Sequence, residues 1–470
     1  MKTKIPQKTF VAPILVLVSL LLLGTSQSQI PLALAPGPVQ EAWVARYNGP
    51  GNLDDGGHAI AGDSSGNVYV TGGSHGSGTD LDYATIKYTS AGQQQWVARY
   101  NGLASGWDRA AAIARDSSGN VYVTGQSLGL GTNFDYATVK YDSTGQELWV
   151  ARYNGPGNGE DDAVAIAVDS SGNVYVTGQS LGLGTGLFDY ATIKYDSAGQ
   201  EQWVARYSLP ASDLAVAIAV DGSGNVYVTG RSTGLGTFPD YATVKYDSAG
   251  QEQWVARYNG PGNGGDFANG IAVDASGNVY VTGGSDDSDG YLDYATIKYN
   301  SAGQEQWVAR YNGGSHDYAW AIALDGSGNV YVTGQSINTN DDYATIKYDS
   351  AGQEQWVARY NSSRTGDDHA RAIALDGSGN VYVMGFSNKA HTYDYATVKY
   401  NSAGQEQWVA RYNGPGNGNE EVANTMVVDG SGNVYVTGAS PGRGTGFDYA
   451  TVKYVQNPTP TPRPHPTLPH

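Results

Sequence analysis

Apolar and polar residues alternate along this chain in short runs, and one cycle of the pattern shows all of its parts. Ala163-Val164-Ala165-Ile166-Ala167-Val168-Asp169 places Ala on one side of a period-two alternation and Val, Ile, Val on the other. That is a strand with both faces apolar, hence buried on both. Asn173-Val174-Tyr175-Val176-Thr177-Gly178 is rich in β-branched and aromatic residues and predicts a second strand. Between the two, Asp169-Ser170-Ser171-Gly172-Asn173 offers an Asp acceptor and a Gly free to take positive φ, the chemistry of a tight antiparallel hairpin. A variable loop then leads to a third strand at Asp189-Tyr190-Ala191-Thr192-Ile193-Lys194-Tyr195. Asp196-Ser197-Ala198-Gly199-Gln200 repeats the turn grammar, and a fourth strand follows from Trp203. No segment carries the helical period.

The cycle recurs eight times. The Gly of Ser-Gly-Asn-Val-Tyr-Val stands at Gly66, Gly119, Gly172, Gly224, Gly277, Gly328, Gly379 and Gly432, and the Trp of Trp-Val-Ala-Arg-Tyr at Trp43, Trp96, Trp149, Trp203, Trp254, Trp307, Trp356 and Trp408. A period of roughly fifty residues belongs to arrays and propellers. Four short antiparallel strands per repeat form a blade, and tandem blades hide their faces by closing into a ring. The expectation is an all-β, eight-bladed β-propeller. The array opens with the Trp strand and ends with the Tyr-Ala-Thr strand at Tyr449 to Tyr454, so the last blade lacks its outermost strand. The N-terminal Trp43 to Tyr47 is expected to complete it and close the ring.

The repeated Asp-Asp-Ala-Val-Ala-Ile-Ala-Val-Asp-Ser-Ser-Gly-Asn-Val-Tyr-Val-Thr-Gly resembles the bacterial β-propeller repeat called SBBP, over about Glu41 to Tyr454 in all eight copies. The resemblance implies an exported, cell-surface or secreted setting, and it brings no shared catalytic residues with it. The Phe-Pro pair that usually follows the second strand is clear only at Phe238-Pro239, so the loops have diverged from the family pattern.

The ends of the chain read differently from its middle. Lys2, Lys4 and Lys8 precede an apolar run from Phe10 to Leu23, the order of an export signal, too short for a comfortable membrane span. The expected organisation is a signal at 1–26 (possibly to 35), a spacer at 27–40, the propeller at 41–455, and a flexible Pro/Thr-rich tail at 456–470. Once the signal is removed no integral membrane domain is expected, and the ring is expected to be monomeric. A net charge of −18 disfavours nucleic acid, which needs a basic face. With no Cys there is no disulfide and no thiolate site.

Candidate chemistry concentrates where the copies differ. The two short turns hardly vary, whereas the loops after the Trp strand and after Val-Thr-Gly do, and in a ring these variable loops share one face. Binding sites are commonly placed on such loops, so this face is the expected functional surface. A carboxylate recurs there at Asp55, Asp108, Asp161, Asp213, Asp266, Asp317, Asp368 and Glu421. A second leads the third strand at Asp82, Asp135, Asp189, Asp240, Asp293, Asp342, Asp394 and Asp448. Their recurrence points to capping of loop N–H groups or pairing with the repeated Lys and Arg; the other use is a ligand-binding or cation-binding rim. Asp286, Asp287 and Asp289 form the best single candidate for a metal, possible calcium, although the EF-hand Glu is missing.

Thirty-two of 35 Tyr and eight of 10 Trp occupy fixed repeat positions and are packing residues first. Trp107, Tyr318 and Trp320, in or next to the variable loops, are placed to stack on a sugar ring or hold a peptide. His58, His75, His316, His369 and His391 are scattered without metal-ligand spacing. The leading expectation is a secreted or cell-surface, non-catalytic binding scaffold with a carbohydrate or protein partner. The alternatives are a glycan-active lyase or hydrolase and a calcium-dependent lectin-like module. Asymmetry discriminates between the first two: an enzyme gathers non-repeated polar groups in one place, whereas a repeat binder uses equivalent positions in many blades.

Overall fold

A computed structural model of the protein describes residues 39–234, 238–363, 365–389, 392–416 and 420–456. The expected signal segment, the expected spacer up to residue 38 and the expected tail from residue 457 lie outside the described residues. Eight four-stranded antiparallel sheets follow one another, each pairing its strands in chain order, except that the last is assembled from both ends of the chain. Blade 1 covers residues 55–100, blade 2 residues 108–153 and blade 3 residues 161–207; the remaining copies follow to blade 8. The first strands of successive blades lie against one another around the ring and line its centre. Among the described residues no helix is long and apolar enough to cross a membrane.

The ring closes as the phase of the repeats predicts. Val39–Tyr47 pairs antiparallel with Phe447–Gln456, matching Trp43 to Lys453 and Tyr47 to Tyr449. The ladder runs beyond the expected boundary of 41, because Val39 pairs with Gln456 and Gln40 with Val455. The seam lacks the turn between third and fourth strands that every other blade supplies. Gln456 stands in for it, accepting from the Lys399 ammonium and donating to Gly432 O.

The core lies between blades. Tyr122 and Tyr136 of blade 2 pack with Val174, Val176, Ile193 and Tyr195 of blade 3, all essentially inaccessible to solvent. Each such aliphatic side chain contributes about 1.5–3 kcal/mol on burial. Polar latches fix the register of this packing. The Tyr136 hydroxyl donates to Ala191 O at 3.3 Å, and the Trp149 indole N–H and Lys140 ammonium both donate to Ser197 O of the next blade. The hairpin turn is held by its first residue: Asp169 accepts from the Ser171 and Asn173 amides, the Asn173 side chain and the Tyr175 hydroxyl.

One feature departs from simple alternation. In every blade the first strand carries a β-bulge: Ala163 pairs with Gly178 and Ala165 with Thr177, leaving Val164 as the extra residue. The corresponding residues elsewhere are His58, Ala111, Val216, Asn269, Trp320, Arg371 and Asn424. The bulge also explains the Gly of Val-Thr-Gly. It pushes the Asp162 carbonyl toward the second strand, so that a Cβ on Gly178 would sit 2.0 Å from that oxygen. The same clash, 1.9–2.1 Å, exists at Gly72, Gly125, Gly230, Gly283, Gly334, Gly385 and Gly438. Only glycine admits this close approach of backbone to backbone.

Candidate ligand site in the central channel

The recurrent carboxylates are placed inside the blades. Asp55, Asp108, Asp161, Asp213, Asp266, Asp317, Asp368 and Glu421 are all buried. Each accepts from a backbone amide of the loop that precedes it, as Asp161 does from Gly155 N at 2.7 Å and Glu421 from Gly414 N at 2.9 Å. Burial pushes their carboxyl pKa values upward, while the loop amides and a neighbouring Ser hydroxyl pull them back. The second set pairs with the fourth-strand arginines. Arg152 donates to Asp135 at 2.9 Å, to Ser127 Oγ and O, and to the Tyr100 hydroxyl of the previous blade. Both sets therefore hold loops and blades together, and neither presents an open acidic rim.

Asp286, Asp287 and Asp289 do not converge. Asp287 accepts from the Asp289 and Tyr291 amides, closing a hairpin loop around Gly290. Among the described residues no three His, Cys, Asp or Glu side chains gather to hold a metal ion. Trp107 is half-exposed on a loop, and His391 lies outside the described residues. Tyr318 and Trp320 belong to the first strand of blade 6, Asp317–Leu324, not to a loop.

The bulge places its extra residue toward the ring axis, and this is where the repeats differ. A cavity of about 430 Å³ is lined by His58, Arg109, Gln126, Asp162, Trp320 and Arg371, together with Ala111, Val164 and Asn424. Six blades contribute. All of these except Gln126 occupy the second or fourth position of the first strand; Gln126 pairs with Arg109 across the second strand. The side chains form two groups. On one side His58 Nδ1 is 2.9 Å from Ala110 O, and Arg109 approaches His58 Nε2 at 3.3 Å. Burial and the Arg109 charge push the His58 imidazole down to about 4, so it is neutral at physiological pH. Burial pushes the Asp162 carboxyl up to about 6, against the opposing pull of Arg109.

On the other side Trp320 stacks 5.2 Å from Tyr318, and Arg371 lies 4.6 Å over the Trp320 ring and 5.3 Å over Phe386. Gln335 Oε1 lies 3.4 Å from the Trp320 indole nitrogen and 2.7 Å from His369 Nδ1. Sequence reading singled out Tyr318, Trp320 and Phe386 and noted His58 and His369 only as scattered histidines; it missed Arg109, Gln126, Asp162, Gln335, Arg371 and Asn424. The available signal was composition by position: the bulge residue runs through His, Ala, Val, Val, Asn, Trp, Arg and Asn while its neighbours are Ala on both sides in five of the eight copies, the exceptions being Gly57, Gly270 and Thr425.

Comparison with known proteins supports the architecture. The SBBP beta-propeller repeat is matched at residues 95–135, 148–184, 202–236 and 253–291. The regulatory protein FlaEY of Caulobacter vibrioides is 30% identical over 138 residues, which is 26% of this chain and 14% of that protein. The chain thus spans a small part of that relative's length. Sqt1 from Chaetomium thermophilum aligns over 89% of this chain and all of its own, with a TM-score of 0.56 at 10% identity. The periplasmic gluconolactonase PpgL of Pseudomonas aeruginosa covers 70% of this chain and 93% of its own, with a TM-score of 0.43 at 12% identity. The likeness to Sqt1 concerns the fold alone.

Proposed function

We propose that this chain, a β-propeller carrying SBBP repeats, is a secreted or cell-surface scaffold that binds one ligand in its central channel without transforming it. One observation carries the channel as the site: the unlike side chains His58, Arg109, Asp162, Trp320 and Arg371 meet in one cavity, an asymmetry that suits one ligand and that is also the pattern of an enzyme, the second reading below. A ring with eight equivalent grips would carry the same group in every blade. The volume of about 430 Å³ lies in the range of small-ligand sites. The extracellular setting rests on the basic and apolar N-terminal run, Lys2 to Leu23.

The experiment is binding of glycan and peptide arrays by the wild-type chain and by Ala111→Trp, which fills the channel, with and without a chelator. A ligand held by the wild type and lost in Ala111→Trp supports the reading; one retained by both sinks it. N-terminal sequencing of protein recovered outside the cell tests export.

A second reading has its own support. A carboxyl raised to about 6 at Asp162 and a neutral imidazole at His58, both beside the Arg109 guanidinium, supply an acid, a base and a charge stabiliser in one place. Mass spectrometry of the captured ligand decides: conversion that is lost in Asp162→Asn and His58→Gln identifies an enzyme.

A further inference from the structure

The protein is acidic overall, yet two of the cations outside its repeat machinery, Arg109 and Arg371, line the channel, whereas Arg115 lies over Tyr69 beside Gly62 O and Arg443 bonds the Pro415 carbonyl on an exposed loop. Eight fourth-strand arginines each pair with an aspartate, and eight third-strand lysines each lie over a tyrosine ring. Arg109, Arg231 and Arg371 are not part of either set, and among the described residues none of the three has a carboxylate within ion-pair distance. Instead they meet aromatic faces and the neutral His58. Arg231 lies 5.8 Å over Phe267, Phe267 stacks on Tyr318 at 6.2 Å, Tyr318 lies 5.2 Å from Trp320, and Arg371 caps Trp320 at 4.6 Å. A ladder of two cations and three rings thus runs from blade 4 to blade 7, with Arg109 on the opposite lining of the same cavity.

Each part of this arrangement selects a property of the ligand. The Arg371 guanidinium, whose partners among the described residues are aromatic faces, fits a carboxylate through two parallel N–H bonds, and Arg109, which also pulls on Asp162 in the same lining, adds a second positive charge. The aromatic edge lining the cavity receives a partly apolar ring. The amides of Gln126 and Asn424 offer donors and acceptors to hydroxyls. A long polyanion is repelled by a body of net charge −18, so the ligand that fits is short or enters by its end.

We infer that the channel binds an acidic oligosaccharide, a uronate-bearing chain end, with carboxylates on Arg371 and Arg109 and a sugar ring against the edge of Trp320 that lines the cavity. The inference rests on the channel reading above and adds the ligand's class. Calorimetric titration of the full chain with a uronate tetrasaccharide and with its neutral methyl ester tests it. The acid should bind at least tenfold more tightly than the ester and weaken as salt rises. Arg371→Gln and Arg109→Gln should each reduce affinity for the acid tenfold or more and leave the ester unchanged. Arg371→Lys, which keeps the charge and loses the planar fork, should fall between.

Circular dichroism and the unfolding midpoint establish that each variant is folded. Equal binding of acid and ester, no binding of the acid, or full affinity in a folded Arg371→Gln overturns the inference. A neutral glycan or a peptide carboxy-terminus that binds the wild type and not Ala111→Trp also overturns it, while leaving the channel as the site. An acid that still binds Ala111→Trp sinks both readings.

Discussion

Arg46 and Asp448 are 402 residues apart in the chain, yet the guanidinium of one donates to the carboxylate of the other at 3.0 Å. Arg46 also donates to the Ser440 hydroxyl and carbonyl and to the Tyr412 hydroxyl, so one side chain ties the opening strand to three strands near the other end. The same bonds recur in every blade, but only here do they join the two termini of the propeller. Arg46→Ala leaves the mostly buried Asp448 without its partner, and a loss of about 3 kcal/mol is expected. Deleting Val39–Tyr47 should be more damaging, because it removes a whole ladder and exposes an edge. Denaturant unfolding of the two variants measures both effects.

A pair of glycine substitutions tests the bulge. Gly178→Ala forces a Cβ to within 2.0 Å of the Asp162 carbonyl and should destabilise the protein by about 2–4 kcal/mol. Gly222→Ala meets nothing within 4 Å and has no positive φ, so it should be neutral or slightly stabilising. Equal unfolding midpoints for the two would contradict the bulge geometry.

The channel carboxylate gives a pH signature. Asp162 moves from an ordinary 3.8 up to about 6 in the folded state. Folding therefore favours its protonated form: the associated stability is present below about 4 and is lost as pH rises through about 6. Asp162→Asn should match the wild type near pH 3 and exceed it at pH 7. Melting temperatures of both proteins across this range check the sign.

The turn aspartates act in the opposite direction. Asp63, Asp116, Asp169, Asp221, Asp274, Asp325, Asp376 and Asp429 have carboxyls held below the ordinary 3.8 by amide, Asn and Tyr donors that outweigh burial. Their contribution is fully present above that value and is lost as pH falls below it. Because all eight turns titrate together, acid unfolding should be abrupt, and Asp169→Asn should shift its midpoint by only a fraction. Ellipticity followed during acid titration measures this.

The fold was legible because its determinants are local and repeated. Gly172 and its counterparts mark the turns, and the phase difference between Trp43 and Tyr454 reveals the closure. At the opening strand Val39 and Gln40 pair with Gln456 and Val455 without belonging to the repeated motif. The site was not legible for a specific reason. Strict alternation puts Val164 on the same side as Ile166, but an inserted residue breaks that parity, and no sequence rule used here registers the insertion. Tyr318 and Trp320 stand out as unrepeated aromatics next to a variable loop; what the sequence pattern does not show is that the bulge sets Trp320 against the channel. The carboxylates drew attention because they recur, and recurrence in this ring marks scaffolding. Arg371 and Asp162 differ from their equivalents in other blades, and the difference was the better guide.

The pairing of Val39–Tyr47 with Phe447–Gln456 also sets the order of events during biogenesis. The opening strand of the propeller has no partner until its closing strand has been made, so the nascent propeller carries two bare sheet edges through nearly all of its synthesis. A premature stop anywhere upstream of Phe447 leaves those edges unjoined and open to aggregation or proteolysis. The joint thus acts as a check on the ring: only a molecule translated through Gln456 can close it.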